Sequence, residues 1–277
     1  MSHNDPASPP ASGDGFAAAA QPVGSHTIAT DATGLVAGAV TIASGDFAMP
    51  AYRACPEGSG PFPIVLVVSE IFGVHEHIAD VARRFARLGY LAIAPELFVR
   101  QGDAKAALDI QKLIATVVSK VPDAQAMGDL DACVAWAATN GGDVDRLGVT
   151  GFCWGGRVTW LYAAHSAQVK AGVAWYGRLV GPASARQPRQ PVDAASGLQA
   201  PVLGLYGAAD TGIGLDTVEQ MKAALAAGSA AARQSQFVVY PKAQHAFHAD
   251  YRPSYQEAAA RDGWQRCLAW FETHGVA

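Results

Sequence analysis

Six short apolar runs, separated by segments whose apolar residues recur three and four places apart, constrain this chain more than any other feature. They are IVLVVSE (64–70), YLAIAPEL (90–97), RLGVTGF (146–152), KAGVAWYG (170–177), PVLGLYG (201–207) and QFVVYP (236–241). Each is apolar nearly throughout instead of alternating, the pattern of a strand covered on both faces. Strands that take turns with helices along a chain build a mostly parallel sheet with helices on both faces. Ahead of them, GLVAGAVTIA and FAMPAYRAC flank a turn-prone SGD, which predicts an N-terminal antiparallel hairpin. Residues 31–277 are expected to form a single α/β domain, behind a Ser-, Pro-, Gly- and Ala-rich flexible leader over residues 1–30. Between the strands, AALDIQKLIATVVSKV is read as one helix and GRLVGPASARQPRQPVDAASG as a surface loop.

Charge and cysteine usage narrow the class. Twenty basic residues stand against 24 acidic ones, a net −4, so the chain has no field that would attract nucleic acid or an anionic membrane. No apolar stretch reaches the roughly 18 to 20 residues of a membrane span. A small-molecule partner is expected, with the chain a monomer or a weak homo-oligomer. Cys55, Cys133, Cys153 and Cys267 are far apart and form no C-x-x-C pair, which argues against a zinc site or a dithiol redox centre. Free thiols fit a reducing compartment and hence the cytoplasm, with periplasmic export of a longer precursor as the alternative.

The chemistry is concentrated at strand ends. In RLGVTGFCWGGRVTW an apolar run enters Gly151, Cys153 sits at the apex, and Gly155 and Gly156 open a helical segment. This is the context of a nucleophile elbow, with sulfur where serine is usual. A cysteine nucleophile needs a base, and the base needs a group to hold its tautomer. PVLGLYGAAD carries a strand out to Asp210 and FVVYPKAQHAF carries the next to His245, in the order nucleophile, acid, histidine. Glu70 ends the first buried run. The turn after it would supply the Ile71 N–H to an oxyanion hole, with the Trp154 N–H as its partner.

These motifs resemble the dienelactone hydrolase family, also called carboxymethylenebutenolidases. The similarity runs from FPIVLVVSEIFGVHEHI through LGYLAIAPELFVRQG, LGVTGFCWGGR, AGVAWYG and YGAAD to KAQHAF and the last helix. It implies the α/β-hydrolase fold and hydrolysis of a lactone or ester without a cofactor. It also implies a Cys153–Asp210–His245 triad, with Glu70 as an auxiliary carboxylate near the resting thiol and Arg100 gripping a substrate carboxylate. The sequence departs from the family at Ala249, where a second carboxylate-binding arginine stands, and at Ala246, where the family has serine. Arg252, three residues further on, is the candidate replacement.

A thiolate suits activated lactones and esters, whose leaving groups depart without strong protonation, better than amides. Two other classes compete: a non-catalytic small-molecule-binding relative, against which an intact triad argues, and a thiol redox protein, which lacks a resolving cysteine. His75 with His77, and His245 with His248, raise a metal site, but the first pair is expected to point to different helix faces and no third ligand cluster accompanies either. Trp175 and Tyr176 line either the pocket or the core, and Trp264, Cys267, Trp270 and Phe271 recur at helical spacing as core.

Overall fold

The computed structural model describes residues 26–106 and 109–277. Its centre is an eight-stranded sheet in the order β1-β2-β4-β3-β5-β6-β7-β8. The strands are β1 Leu35–Ser44, β2 Phe47–Pro56, β3 Phe62–Val68, β4 Leu91–Pro95, β5 Gly142–Phe152, β6 Val169–Trp175, β7 Val202–Gly207 and β8 Gln236–Tyr240. β1 and β2 form the expected hairpin, closed at Ser44↔Phe47, and β2 joins the rest by pairing antiparallel with β4. All pairs from β4 to β8 are parallel. The sheet is the mostly parallel one that the strand and helix pattern predicts, in the α/β-hydrolase arrangement that the family resemblance implies.

Register brings the strand ends together. Val68 of β3 pairs with Gly151 of β5, Phe152 of β5 with Trp175 of β6, and Gly207 of β7 with Tyr240 of β8. The loops after β3, β5, β7 and β8 therefore leave the same edge of the sheet, the place where open parallel sheets bind ligands.

The helices are α1 Glu76–Arg87, α2 Ile110–Thr116, α3 Asp123–Ala138, α4 Trp154–His165, α5 Pro191–Ala194, α6 Leu215–Ala226, α7 Ala230–Gln234 and α8 Glu257–Thr273. α1 and α8 meet through Phe85, whose ring lies 4.6 Å from Trp264 and 6.1 Å from Phe271. α3 and α4 meet through the Tyr162 hydroxyl, which donates to Asp131 over 3.0 Å. Phe85 and Phe271 are fully buried, so truncating either to alanine would cost about 3–5 kcal/mol. Cys267 and Trp270 are buried as expected and Trp264 is half-buried.

Three features differ from the sequence expectation. The helix predicted across 106–121 stops at Thr116 and resumes as a 3₁₀ turn over Val118–Lys120, because Val117 leaves helical geometry at φ −121° within a run of β-branched residues. α7 is too short to show periodicity; Ser229 starts it by accepting the Ala232 N–H over 3.0 Å. β8 is an edge strand and only half-buried, not covered on both faces. The long polar stretch between β6 and β7 is mostly loop, with α5 started by Pro191.

Of the leader expected over residues 1–30, residues 1–25 lie outside the described residues. At its end, Thr30 donates its N–H to Asp80 and accepts from Arg83. No helix among the described residues is long and apolar enough to cross a membrane.

Candidate active site

Cys153 sits between β5 and α4 with φ +54° and ψ −112°, a conformation that costs a non-glycine residue about 1–3 kcal/mol. The surroundings hold it there. Its N–H donates to the Trp175 carbonyl over 3.0 Å and its carbonyl accepts from Arg157 over 3.2 Å. At Gly155 a Cβ would fall 2.2 Å from the Val68 carbonyl oxygen, so only glycine lets α4 start this close to the end of β3. Cys55, Cys133 and Cys267 are buried, whereas Cys153 is partly exposed.

The loops after β7 and β8 are bound to each other before they reach the cysteine. The Ala208 N–H donates to the Tyr240 carbonyl and the Ala209 N–H to the Ala243 carbonyl, each over 2.9 Å. A Cβ on Gly207 would lie 2.2 Å from the Ala243 oxygen, so the contact requires glycine. This clasp puts Asp210 Oδ2 2.7 Å from His245 Nδ1, while Oδ1 accepts the Gly212 N–H over 2.8 Å. The Asp210 side chain is buried and that of His245 about a third exposed. The Cys153 sulfur acts electrostatically on the same imidazole. Burial opposes the imidazolium, but the Cys153 sulfur and the Asp210 carboxylate outweigh it and push the His245 pKa up to about 10. Asp210 and His245 thus form one hydrogen-bonded pair, whose charge the Cys153 sulfur influences.

The Ile71 and Trp154 backbone N–H groups have no acceptor among the described residues. Ile71 lies in the turn after β3, and Trp154, directly after Cys153, is the first residue of α4. Tyr176, at φ +38°, is buried and stands edge-on to His245 with centroids 5.2 Å apart. Burial, with Glu70 and Cys153 nearby, holds its hydroxyl protonated well above the usual tyrosine range. Trp175 is fully buried beneath it and belongs to the core.

Glu70 is buried at the rim. Its Oε1 accepts the Tyr251 hydroxyl over 2.9 Å and lies 3.5 Å from His75 Nε2, and its Oε2 has no hydrogen-bond partner among the described residues. Burial alone would favour the neutral acid; His75 and His77 act the other way and hold Glu70 ionised, well below the usual carboxylate range.

The two arginines expected at the substrate differ in their partners. Arg100 is bidentate to Asp129, over 2.6 and 2.8 Å, and lies 4.2 Å above the Phe47 ring. It fastens the β1–β2 turn to α3, and its guanidinium is already held by a buried carboxylate instead of awaiting one from a substrate. Arg252 is half-buried, 6.0 Å above the Phe72 ring beside the Ile71 turn, and has no carboxylate partner among the described residues. Its charge reaches both Tyr176 and Tyr251. Ala249 is fully buried. Ala246 holds φ +61° directly after His245.

His75 and His77 do not diverge as helix positions would. His75 caps α1 in an extended conformation, so the rings stack with centroids 6.1 Å apart. His77 Nδ1 is 3.2 Å from Asp250. Among the described residues no group of three histidine, cysteine or acidic side chains is arranged to hold a metal ion. The residues that sequence reasoning missed are Tyr251 and His75 around Glu70, Phe72 under Arg252, and Asp129.

The sequence profile of the "Dienelactone hydrolase family" matches residues 49–275. The chain belongs to the dienelactone hydrolase family. It is a hydrolase of that family's ester- and lactone-cleaving class. The "Putative carboxymethylenebutenolidase" of Methylorubrum extorquens is 62% identical over 265 residues, 95% of this chain and 90% of that protein. The Escherichia coli K12 protein of the same name is 56% identical, covering 94% and 96%. The crystal structure titled "Putative Dienelactone Hydrolase" from Klebsiella pneumoniae superposes with a TM-score of 0.84 at 60% identity, covering 86% of this chain and 98% of that one.

Proposed function

We propose that the chain hydrolyses small carboxylate-bearing esters or lactones through Cys153 as nucleophile and a thioester intermediate. The observation that carries this reading is the hydrogen bond between His245 and Asp210, together with the pull of the Cys153 sulfur on the same imidazole. The His245 pKa of about 10 favours an imidazolium, which stabilises the thiolate once substrate has entered. The thiolate adds to the substrate carbonyl, and the new oxyanion takes hydrogen bonds from the Ile71 and Trp154 N–H groups. The carbonyl re-forms, the alkoxide leaves with the proton from His245, and an acyl-thioester remains. Neutral His245 then takes a proton from water, whose oxygen attacks the thioester and regenerates the pair. Asp210 keeps the imidazole in the tautomer and orientation that both steps use.

Arg252 supplies the contact to a substrate carboxylate in this reading, supported by its half-buried, uncommitted guanidinium. Tyr176 forms the wall beside the imidazole, and the ionised Glu70 disfavours a second negative charge on the resting sulfur until substrate arrives.

The test is turnover of an activated aryl ester, with quenched samples read by mass spectrometry. An acyl adduct on the Cys153 peptide, with turnover abolished in Cys153→Ala, is expected. Unchanged turnover in Cys153→Ala would overturn the mechanism. Arg252→Ala should lower kcat/KM for an anionic ester about 10- to 100-fold, the value of one charge-assisted hydrogen bond, and leave its neutral analogue unaffected.

A further inference from the structure

A pocket of about 230 Å³, open to solvent on one side, lies between α1, α8 and the loop after His245. Its lining includes Ile28, Arg84, His248, Tyr255, Ala260 and Trp264, with Arg261 and Gln265 at the rim; Cys153, Asp210 and His245 take no part in it. The volume is ample for one ring, since an apolar cavity of about 150 Å³ already holds benzene. Trp264, Tyr255, Ile28 and Ala260 offer apolar and aromatic walls suited to offset stacking.

Three features define what would fit. His248 is only 3% exposed, and its buried Nδ1 has no hydrogen-bond partner among the described residues. A buried polar group left unmatched in this way is uncommon and costs about 1–3 kcal/mol. Burial, with the charges of His77 and Arg84, keeps the imidazole neutral well below the usual histidine range, so it offers neutral hydrogen bonding and no charge. The cations of the lining are already matched: Arg84 to Asp80 and Asp250, and Arg261 to Glu257. No spare positive charge remains for an anion.

We propose that this cavity binds an uncharged small aromatic carrying a hydroxyl, its ring against Trp264 and its hydroxyl bonded to the His248 imidazole. The site is separate from the catalytic one yet adjoins its support. His248 stacks on Phe152 at 5.1 Å and contacts Trp175 at 4.4 Å. Phe152 precedes the nucleophile, and the Trp175 carbonyl accepts the Cys153 N–H.

Calorimetric titration with phenol, toluene and benzoate tests this, on protein with Cys153 either free or carbamoylmethylated by iodoacetamide. Phenol should bind at one saturable site, with affinity unchanged within twofold after alkylation. Ala260→Leu, which fills the cavity, should weaken it at least tenfold; Gln265→Phe at the exposed rim serves if that variant does not fold. His248→Phe should weaken phenol at least fivefold while sparing toluene. Absence of saturable binding, loss of binding on Cys153 alkylation, or benzoate binding as tightly as phenol would each overturn the proposal.

Discussion

Replacing Tyr251 by phenylalanine isolates a single interaction, because the ring volume is kept and only the hydroxyl that donates to Glu70 is lost. Both partners are almost fully buried, at 2% and 4% exposure, so water cannot replace the missing donor. Glu70 Oε2 has no hydrogen-bond partner among the described residues, so the Tyr251 hydroxyl acts at Oε1, which also has His75 3.5 Å away. A hydrogen bond to a buried charged group contributes about 1.5–3 kcal/mol. For a domain of this size each kcal/mol moves the melting temperature by about 2–4 °C, so a loss near 2 kcal/mol predicts a fall of about 4–8 °C. The assay is calorimetric melting at pH 7 of wild type, Tyr251→Phe, Glu70→Gln and the double variant. In the Glu70→Gln background the bond is neutral and contributes only about 0.5–1.5 kcal/mol, so the cycle should return a coupling of about 1 kcal/mol. A fall below 1 °C, or the same fall in both backgrounds, would refute the assignment of charge to Glu70.

The His245 pKa is raised above its ordinary value, so its stabilising contribution is complete below about pH 6.5 and is lost as pH rises through about 10; wild type should lose more melting temperature than His245→Gln between pH 7 and pH 10. Asp210→Asn should lower kcat by less than the roughly 10⁴-fold seen when a serine triad loses its acid, because a thiolate needs less help from the base; an unchanged kcat in steady-state assays would remove Asp210 from the mechanism. Arg100→Ala should leave the preference for anionic over neutral esters within twofold while lowering the melting temperature, and a lost preference would restore Arg100 to substrate binding. Gly155→Ala forces a Cβ onto the Val68 carbonyl and should abolish activity with a loss of stability above about 3 kcal/mol by denaturant titration; wild-type behaviour would disprove the close approach.

The parts of this protein legible in its sequence are those where local chemistry and backbone demand coincide. The six apolar runs became β3 to β8, and GFCWGG lies at the turn where its glycines permit backbone contacts that no side chain would. Asp210 and His245 were legible because each lies in the loop that follows a strand, and parallel register carries strand ends to one edge. The partners of the charged groups were not legible. Tyr251 reaches Glu70 across 181 residues, and Asp129 meets Arg100 from a helix whose sequence gives no sign that its acid faces inward. An arginine in a matching motif has the right chemistry to hold a carboxylate, but whose carboxylate it holds depends on which other side chains the packing brings within hydrogen-bond reach. Here the fold gives Arg100 one of its own and, among the described residues, leaves Arg252 without one, which is why the proposed contact to an anionic substrate rests on Arg252.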